Sequence, residues 1–182
     1  MAMRQWNEFR LTLRYNHIDA TFRSSFVAAS PNNSIADANG AINVSPGDRI
    51  PGIPANSAKL RAEWDVDERL SLGATIVYAS SQYAHGDENN RDSHGQVPGY
   101  TVANLDAQLK LTPQWQLFAN ITNLFNREYQ NFGLLSANEF TGPARAFGRA
   151  LGIDPVSDQF RGLGTPRGFW IGVRYGFGHR AD

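Results

Sequence analysis

Hydrophobic and polar residues alternate along six segments of the chain, and this period of two is typical of β-strands whose faces meet different surroundings. The predicted strands are residues 9–16, 59–66, 70–78, 103–111, 115–122 and 169–177. The fourth is the most regular, because its apolar side chains alternate without exception with Asn104, Asp106, Gln108 and Lys110. The pattern predicts an all-β, antiparallel protein.

The connections between these strands alternate in length. Short connections around VDER and TPQW join the second strand to the third and the fourth to the fifth. Long polar stretches run from Ser24 to Ser57, from Ala79 to Gly99 and from Asn131 to Pro166. Loops beyond about 15 residues are unusual in compact soluble domains, and all three lie at one end of the hairpins. Short turns at one end and long loops at the other are typical of the wall of an up-and-down transmembrane β-barrel.

Alternation alone does not separate a barrel wall from a soluble β-sandwich, because both have one apolar and one polar face. Three features favour the barrel wall: the uneven connections, a charged row on the polar face, and aromatic residues near the strand ends. The charged row comprises Lys59, Arg61, Glu63 and Asp65. The aromatic residues, which predict interfacial girdles, are Tyr15, Trp64, Tyr78, Trp115, Tyr129, Trp170 and Tyr175.

Composition excludes several classes of function. The 182 residues contain 17 basic and 17 acidic side chains without a polybasic run, which does not suit a nucleic-acid-binding protein. The absence of Cys excludes disulfides and thiolate metal sites. No window approaches the roughly 20 apolar residues of a membrane-spanning helix. The apolar core that a signal peptide needs is interrupted by charges at Arg4, Glu8, Arg10 and Arg14.

Four blocks of the sequence occur in a characteristic order with matching gaps. They are GDRIPGIPANSAKLRAEW, GDENNRDSHGQVPGYTVANLDAQLKLT, WQLFANITNLFNREYQNFGLL and TPRGFWIGVRYGF. Through them the chain, from about Leu11 to Phe177, resembles the C-terminal β-barrel of TonB-dependent outer-membrane receptors. The resemblance implies that residues 1–182 supply about six strands, the last of a 22-stranded barrel, with short periplasmic turns and long extracellular loops.

The same resemblance implies a function and a set of partners. Receptors of this family lie in the outer membrane of Gram-negative bacteria and take up scarce nutrients, typically ferric siderophores. A plug domain fills their barrel, and the TonB–ExbB–ExbD complex supplies energy through the TonB box of the plug. We therefore expect this chain to meet membrane lipid, a plug domain, about sixteen preceding strands that the sequence does not contain, and a ferric siderophore or similar ligand.

The expected strands cannot form a working receptor alone, since single-chain barrels begin at about eight strands. Two open edges would leave unpaired backbone groups in hydrocarbon, and each such group is costly. We therefore expect a partial TonB-dependent receptor barrel domain, without plug or signal peptide, that aggregates or needs detergent by itself. In the family the last strand ends the chain on an aromatic residue, here Phe177, so the extension Gly178 to Asp182 departs from the pattern.

Two segments near the third loop carry finer predictions. NITNLFNREYQNFG is expected to rise as a strand from the short turn at Pro113, with Leu117, Ala119 and Ile121 facing lipid. Residues 126–130 would continue the strand ladder into water above the bilayer, where their polarity costs little. GPARAFGRALGID predicts a short helix with Pro143 near its first turn.

The second long loop, SSQYAHGDENNRDSHGQ, concentrates the candidate chemistry. It contains His85, Asp87, Glu88, Asp92 and His94. Their spacing fits no standard metal pattern, so we predict no metal site. The resemblance implies that extracellular loops contact the ligand, and the candidate contacts are Tyr83, His85, Arg91, His94, Arg145 and Arg149. The two arginines of the third loop would attract an anionic ferric chelate.

The sequence also bears on other classes of function. The sequence contains no G-x-S-x-G, H-E-x-x-H, Walker or strand-following G-x-G-x-x-G motif, which predicts neither an enzyme nor a cofactor. A soluble antiparallel β-module that binds carbohydrate stays open, and its apolar face would pack against a second sheet. A small structural outer-membrane barrel also stays open, and it would need about eight strands and a signal peptide.

Overall fold

The described part of the chain is built almost entirely from antiparallel β-structure. The structure is a computed structural model that describes residues 1–177, so the extension Gly178–Asp182 lies outside the described residues. No helix among residues 1–177 has the length and apolar character needed to cross a bilayer. In chain order the strands are β1 (Ala2–Trp6), β2 (Phe9–His17), β3 (Phe26–Ala29), β4 (Ala41–Val44), β5 (Asn56–Asp65), β6 (Leu70–Ala79), β7 (Tyr100–Lys110), β8 (Trp115–Thr122), β9 (Gln130–Asn138), β10 (Val156–Leu163) and β11 (Gly168–Tyr175).

Seven strands form one antiparallel sheet in the order β1-β2-β5-β6-β7-β8-β11. Six of them confirm the six predicted strands, although their ends differ by a few residues. The seventh, β1, was not predicted, because Arg4 stands among its apolar positions and interrupts the alternation. β1 and β11 are the edges of the sheet and have no further partner among residues 1–177, so the sheet is open.

The strand register places the predicted apolar rows on one face of this sheet, which we call the apolar face. Trp64 pairs with Phe9 on one side and with Leu72 on the other, and Leu72 pairs with Ala107. Side chains on this face stay accessible, and Ile171 is 83% exposed. The buried apolar side chains lie instead in the loops or on the opposite, polar face, and they are Ile42, Val44, Ala79, Ala84, Val97, Val102 and Leu135. The apolar rows therefore form a bare band.

The height and borders of this band suit a bilayer. β5 has 10 residues, which extend about 34 Å at about 3.4 Å per residue and rise about 26 Å at a strand tilt of about 40°. At the long-loop end the band meets polar contacts, since Tyr15 Oη donates to Asn56 Oδ1 at 2.6 Å. At the short-turn end it meets aromatic pairs such as Trp115 and Tyr175, whose ring centroids lie 4.7 Å apart. Outer-membrane barrels show an apolar band about 25 Å tall with such borders.

Two of the predicted girdle residues lie elsewhere. Trp170 pairs with Asn120 on the polar face, because it follows Phe169 by one residue and side chains alternate between faces. Tyr129 lies outside the strands and packs its ring against Tyr100, with 4.6 Å between the centroids. An aromatic residue near a strand end therefore belongs to a girdle only when it also shares the apolar face.

The prediction that residues 126–130 continue the strand ladder is wrong. β8 ends at Thr122, and the Asn123 side chain then holds a turn. Its Oδ1 accepts from the Arg127 N–H at 2.9 Å, and its Nδ2 donates to the Arg127 carbonyl at 2.8 Å. Asn side chains compete with sheet ladders for backbone partners in this way. The chain becomes extended again only at Gln130, where β9 begins.

The long loops contain regular structure of their own. β3 and β4 form a hairpin in the first loop, and β9 and β10 form another in the third. The short helix predicted near Pro143 is present only as two separate 3-10 turns, Pro143–Arg145 and Gly148–Leu151. A continuous helix is prevented because Ala144 has a left-handed backbone, with φ of 53°.

A salt bridge crosses the polar face above Gly73. Arg61 on β5 reaches over β6 to Asp106 on β7, where its Nη2 lies 2.8 Å from Oδ2. Its Nη1 also donates to Thr75 Oγ1 at 3.2 Å. A Cβ atom at Gly73 would overlap both the guanidinium and the carboxylate. The glycine therefore provides the space that the bridge occupies.

We expect Gly73→Ala to displace this bridge and to lower the free energy of unfolding by about 1 kcal/mol. In an Asp106→Ala background the same change should have little effect, because the bridge is already absent. Denaturant unfolding in neutral detergent measures the four corners of this double-mutant cycle. Gly176→Ala is the control, since a Cβ there would lie 3.9 Å from its nearest neighbour. Equal losses in both backgrounds would show that the bridge does not require the glycine.

Candidate functional site

The second of the three long loops folds around two buried carboxylates. We call residues 18–55 loop 1, residues 80–99 loop 2 and residues 123–167 loop 3. In loop 2 Asp87 is fully buried, and its Oδ1 accepts from the N–H groups of Arg91 at 2.8 Å and Asp92 at 2.9 Å. Short polar side chains hold turns in this manner. Loop 2 is therefore a compact turn built on Asp87.

The same carboxylates attach loop 2 to loop 1. Asp92 Oδ2 accepts from the N–H of Ser34 at 2.8 Å. In return the buried Asn33 side chain donates to the carbonyl of Gly86 at 3.0 Å and to Asn89 Oδ1 at 3.2 Å. These bonds join residues more than fifty positions apart in the sequence, so they hold two loops together rather than stabilising one locally.

Loop 3 joins the same assembly through β9 and β10. The His85 N–H donates to the carbonyl of Gly133 at 2.9 Å, and the Leu135 N–H donates to the carbonyl of His85 at 2.8 Å. Gln159 on β10 donates from Nε2 to the carbonyl of Gly95 at 2.8 Å. A small apolar core of Ala84, Val97 and Leu135 lies between the two loops. The three long loops thus form one folded cap at one end of the sheet.

The two carboxylates of loop 2 differ in their electrostatics. Burial raises the pKa of Asp87, and backbone hydrogen bonds within the loop offset only part of that effect. Burial acts on Asp92 in the same direction, but hydrogen bonds from Ser34 and His94 outweigh it, so the pKa of Asp92 lies below its usual value. Asp87 Oδ2 and Asn89 Nδ2 are buried without hydrogen-bond partners among residues 1–177. A charge on Asp87 is therefore costly, whereas one on Asp92 is stabilised.

Four of the predicted ligand contacts lie together on loop 2. Tyr83 is half-buried, whereas His85, Arg91 and His94 are exposed at the surface of the cap. The His85 ring lies on Phe132 of loop 3, with 5.5 Å between ring centroids. His94 stands between two carboxylates, with Nδ1 2.8 Å from Asp92 Oδ1 and Nε2 3.8 Å from an oxygen of Asp158.

The other two predicted contacts lie at the tip of the β9–β10 hairpin. Arg145 is exposed and has a left-handed backbone, with φ of 61°. Arg149 is also exposed, and its Nε donates to Glu139 Oε2 at 2.8 Å. The structure therefore does not bring the two arginines into the loop 2 cluster, and one of them already has an anionic partner. A role of these six residues in binding remains a prediction.

Sequence reasoning missed a cavity of about 170 Å³ where the loops meet the strands. Its polar and aromatic lining includes Gln82, Tyr100, Gln130 and Asn131. Gln82 already donates from Nε2 to the carbonyl of Asn131 at 2.9 Å. These residues lie at strand ends or in loops, where the alternation of apolar and polar residues no longer predicts which side chains are neighbours. Tyr100, Gln130 and Asn131 do lie in blocks that carry the family resemblance, but those blocks do not say which side chains share a cavity.

No group of three or more His, Cys, Asp or Glu side chains among residues 1–177 is arranged to hold a metal ion. The chemistry of the cap consists of amides, carboxylates, two histidines, exposed arginines and aromatic rings. Such side chains can bind a ligand by hydrogen bonds, charge and stacking.

Bare apolar rows, a charged opposite face and a cap of folded loops define the wall of a membrane β-barrel. Residues 2–124 match the family model described as "TonB dependent receptor-like, beta-barrel". The chain belongs to this family of transport receptors. No curated protein sequence matches the chain.

Solved structures share this fold. The chain superposes on the siderophore receptor PiuA from Acinetobacter baumannii with a TM-score of 0.66 and 16% identity, covering 93% of this chain and 20% of that one. The ferric yersiniabactin uptake receptor FyuA from Yersinia pestis gives a TM-score of 0.58 and 13% identity, covering 94% and 21%. The copper transporter OprC gives 0.56 and 16%, covering 96% and 22%. The chain thus spans about a fifth of the length of the structures that it matches.

Proposed function

We propose that this chain forms part of the wall of an outer-membrane receptor that takes up a ferric siderophore or a similar scarce nutrient. One observation carries the proposal: every predicted apolar row lies bare on one face, and the charged rows lie on the other. A bare apolar face about as tall as a bilayer has lipid as its natural partner. The opposite face then lines a water-filled bore.

The proposed place of the chain is the outer membrane of a Gram-negative bacterium. Its edge strands β1 and β11 would pair with the remaining strands of a larger barrel, since unpaired edges in hydrocarbon are costly. A plug domain elsewhere in the receptor would fill the bore and connect it to TonB, ExbB and ExbD. The chain itself would contribute lipid contacts and the folded cap.

The cap is the proposed site of ligand contact, and we propose no enzymatic role for it. Tyr83, His85, Arg91 and His94 lie on loop 2 and would act together. Arg145 would act separately from the tip of loop 3, and Arg149 would contribute less, because Glu139 already neutralises it. The matched structures include a siderophore receptor, a ferric yersiniabactin uptake receptor and a copper transporter, so the ligand is proposed as a ferric siderophore or a similar scarce nutrient.

The alternative of a soluble carbohydrate-binding module is weaker on this structure. Such a module would cover its apolar rows with a second sheet. The two small hairpins within residues 1–177 lie in the loops, and the buried apolar residues do not lie beneath those rows. A small structural barrel would have the same bare apolar band. It would, however, give the folded cap no ligand to bind.

A fluorescence experiment on two tryptophans tests the proposal. Trp64 lies on the apolar face and Trp170 on the polar face, and their exposed fractions are nearly equal at 49% and 50%. We expect brominated detergent to quench Trp64 strongly and Trp170 weakly, because bromine atoms on the acyl chains reach only the lipid-facing side. Single-tryptophan variants, with the other tryptophans changed to Phe, give the two signals separately.

Water-soluble acrylamide provides the converse control for the same variants. It should quench Trp170 more than Trp64, since the polar face is the wet one. Equal quenching of both tryptophans by brominated detergent, or a reversed order, would remove the basis for a lipid-facing wall.

A further inference from the structure

An arginine lies on the apolar face of the sheet, on the edge strand β1. The register pairs Arg4 with Leu11 and Trp6 with Phe9, so Arg4 shares its face with the apolar rows. Leu11 continues the same row to Ala62 on β5. A basic side chain on the lipid side of a barrel is costly at the midplane of the bilayer and costs little near its borders. The charge of Arg4 therefore has to lie near a border of the apolar band.

Arg4 is close to the border at the short-turn end. It stands two residues before Trp6, the last residue of β1, and the turn to β2 follows directly. Two residues of strand extend about 7 Å. A long basic side chain at this distance can keep its stem in hydrocarbon and hold its charge at the depth of the head groups.

The stagger of the strands separates Arg4 from the centre of the band. One register row joins Arg4 to Leu105 through β2, β5 and β6. The row of Trp6 ends in the same way at Ala107, which lies three residues before the end of β7. Measured from the short turns, the rows thus rise from β1 toward β7, as they do in a tilted barrel wall. Arg4 lies near the border although Leu105 lies midway along its strand.

The guanidinium of Arg4 is directed toward that border. Its Cζ lies 5.3 Å from the centroid of the Trp6 ring, within the range of a cation–π contact. Trp6 in turn lies near Phe9, with 6.0 Å between the ring centroids. Arg4 is exposed, and none of the ion pairs among residues 1–177 includes it. The aromatic pair thus positions an unneutralised positive charge at the edge of the apolar band.

We propose that Arg4 and Trp6 bind the phosphate group of an anionic phospholipid in the leaflet at the short-turn end, with its acyl chains on the apolar face. The inference rests on the proposed function, because it takes the apolar face as the one that meets lipid. A guanidinium donates strong hydrogen bonds to phosphate oxygens, and tryptophan is enriched at head-group depth. A zwitterionic lipid neutralises its own phosphate, so the charge of Arg4 favours an anionic lipid.

Fluorescence quenching of Trp6 tests this site on the full 182-residue chain in neutral detergent micelles. The protein retains Trp6 alone or Trp115 alone, and the other tryptophans are changed to Phe. The probes are phosphatidylglycerol and phosphatidylcholine, each brominated near the glycerol end of an acyl chain. We expect phosphatidylglycerol to half-quench Trp6 at about a fivefold lower mole fraction than phosphatidylcholine, the effect of one basic residue at an anionic surface.

Trp115 is the matched control. It lies at the same border of the apolar face, but on β8 at the other side of the sheet, and no arginine or lysine among residues 1–177 lies over its ring. Both lipids should therefore quench it equally. Arg4→Gln should remove the preference at Trp6, whereas Arg4→Lys should keep most of it, because lysine retains the charge. The comparison of the two lipids on unaltered Arg4 needs no charge variant, so it stands even if a variant does not fold.

Soluble glycerol 3-phosphate distinguishes a lipid site from a site for free phosphate. It should not displace phosphatidylglycerol at equal concentration, since it has no acyl chains to lie on the apolar face. Equal half-quenching of Trp6 by the two lipids, an unchanged preference in Arg4→Gln, or displacement by glycerol 3-phosphate would overturn the inference. None of these results alters the contrast between Trp64 and Trp170, so the proposed function would stand. A reversed contrast between those two tryptophans would overturn both proposals.

Discussion

Replacing Leu105 with Arg will destabilise the folded protein in lipid or detergent by about 2–4 kcal/mol. Leu105 lies in the middle of β7, where it pairs with Ala74 and Ile121 on the apolar face. A guanidinium there must leave water for the centre of the hydrocarbon layer. Near either border of the band it could extend to the head groups, so the cost should be largest at this central position.

The matched control lies three residues along the same strand. Gln108 is exposed on the polar face, opposite Ser71. Gln108→Arg adds the same charge on the wet side and should change the free energy of unfolding by no more than about 0.5 kcal/mol. Urea unfolding of both variants in neutral detergent measures the difference. Similar losses at both positions would mean that the two faces do not meet different solvents.

The strands and the face on which each side chain lies could both be predicted from the sequence, because both follow from the alternation of apolar and polar residues. A period of two identifies a strand and at the same time says which residues share a face. Trp64, Leu72 and Ala107 were assigned to the apolar rows of three separate segments, and the register then aligned them as neighbours. β1 was missed for the same reason, because Arg4 occupies an apolar position there.

The folded cap could not be read in the same way. GDENNRD has the composition of a solvated loop, and composition says nothing about partners far away in the sequence. Asp87 and Asp92 have partners on loop 1, since Asn33 donates to Asp87 and the Ser34 N–H donates to Asp92. The hairpins β3–β4 and β9–β10 are likewise fixed by contacts between loops. The sequence therefore placed four of the six candidate residues on loop 2, and their role in binding stays a prediction, but it could not predict the internal geometry of the loop.

Replacing Asp92 with Ala will open the cap, at a cost of about 2–4 kcal/mol. The side chain is fully buried, and it accepts from the N–H groups of Ser34 at 2.8 Å and His94 at 3.0 Å. Without the buried carboxylate the N–H groups of Ser34 and His94 lose their acceptor, and loop 1 separates from loop 2. Limited proteolysis and amide exchange should show increased cleavage and exchange in both loops, while the seven-stranded sheet stays protected.

Asp87→Asn provides the contrasting variant, because the two carboxylates have opposite pKa shifts. The pKa of Asp87 is raised by burial, so its charge opposes folding at neutral pH, and a neutral amide should leave the cap as stable or more stable. The pKa of Asp92 is lowered, so its contribution is present above about pH 4 and is lost as the pH falls through the folded-state value. Acidification should therefore weaken the cap of Asp87→Asn as the carboxylate of Asp92 becomes protonated, whereas Asp92→Ala should already be open at neutral pH. A cap that loosens equally in both variants at neutral pH would contradict the assignment of the stabilising charge to Asp92.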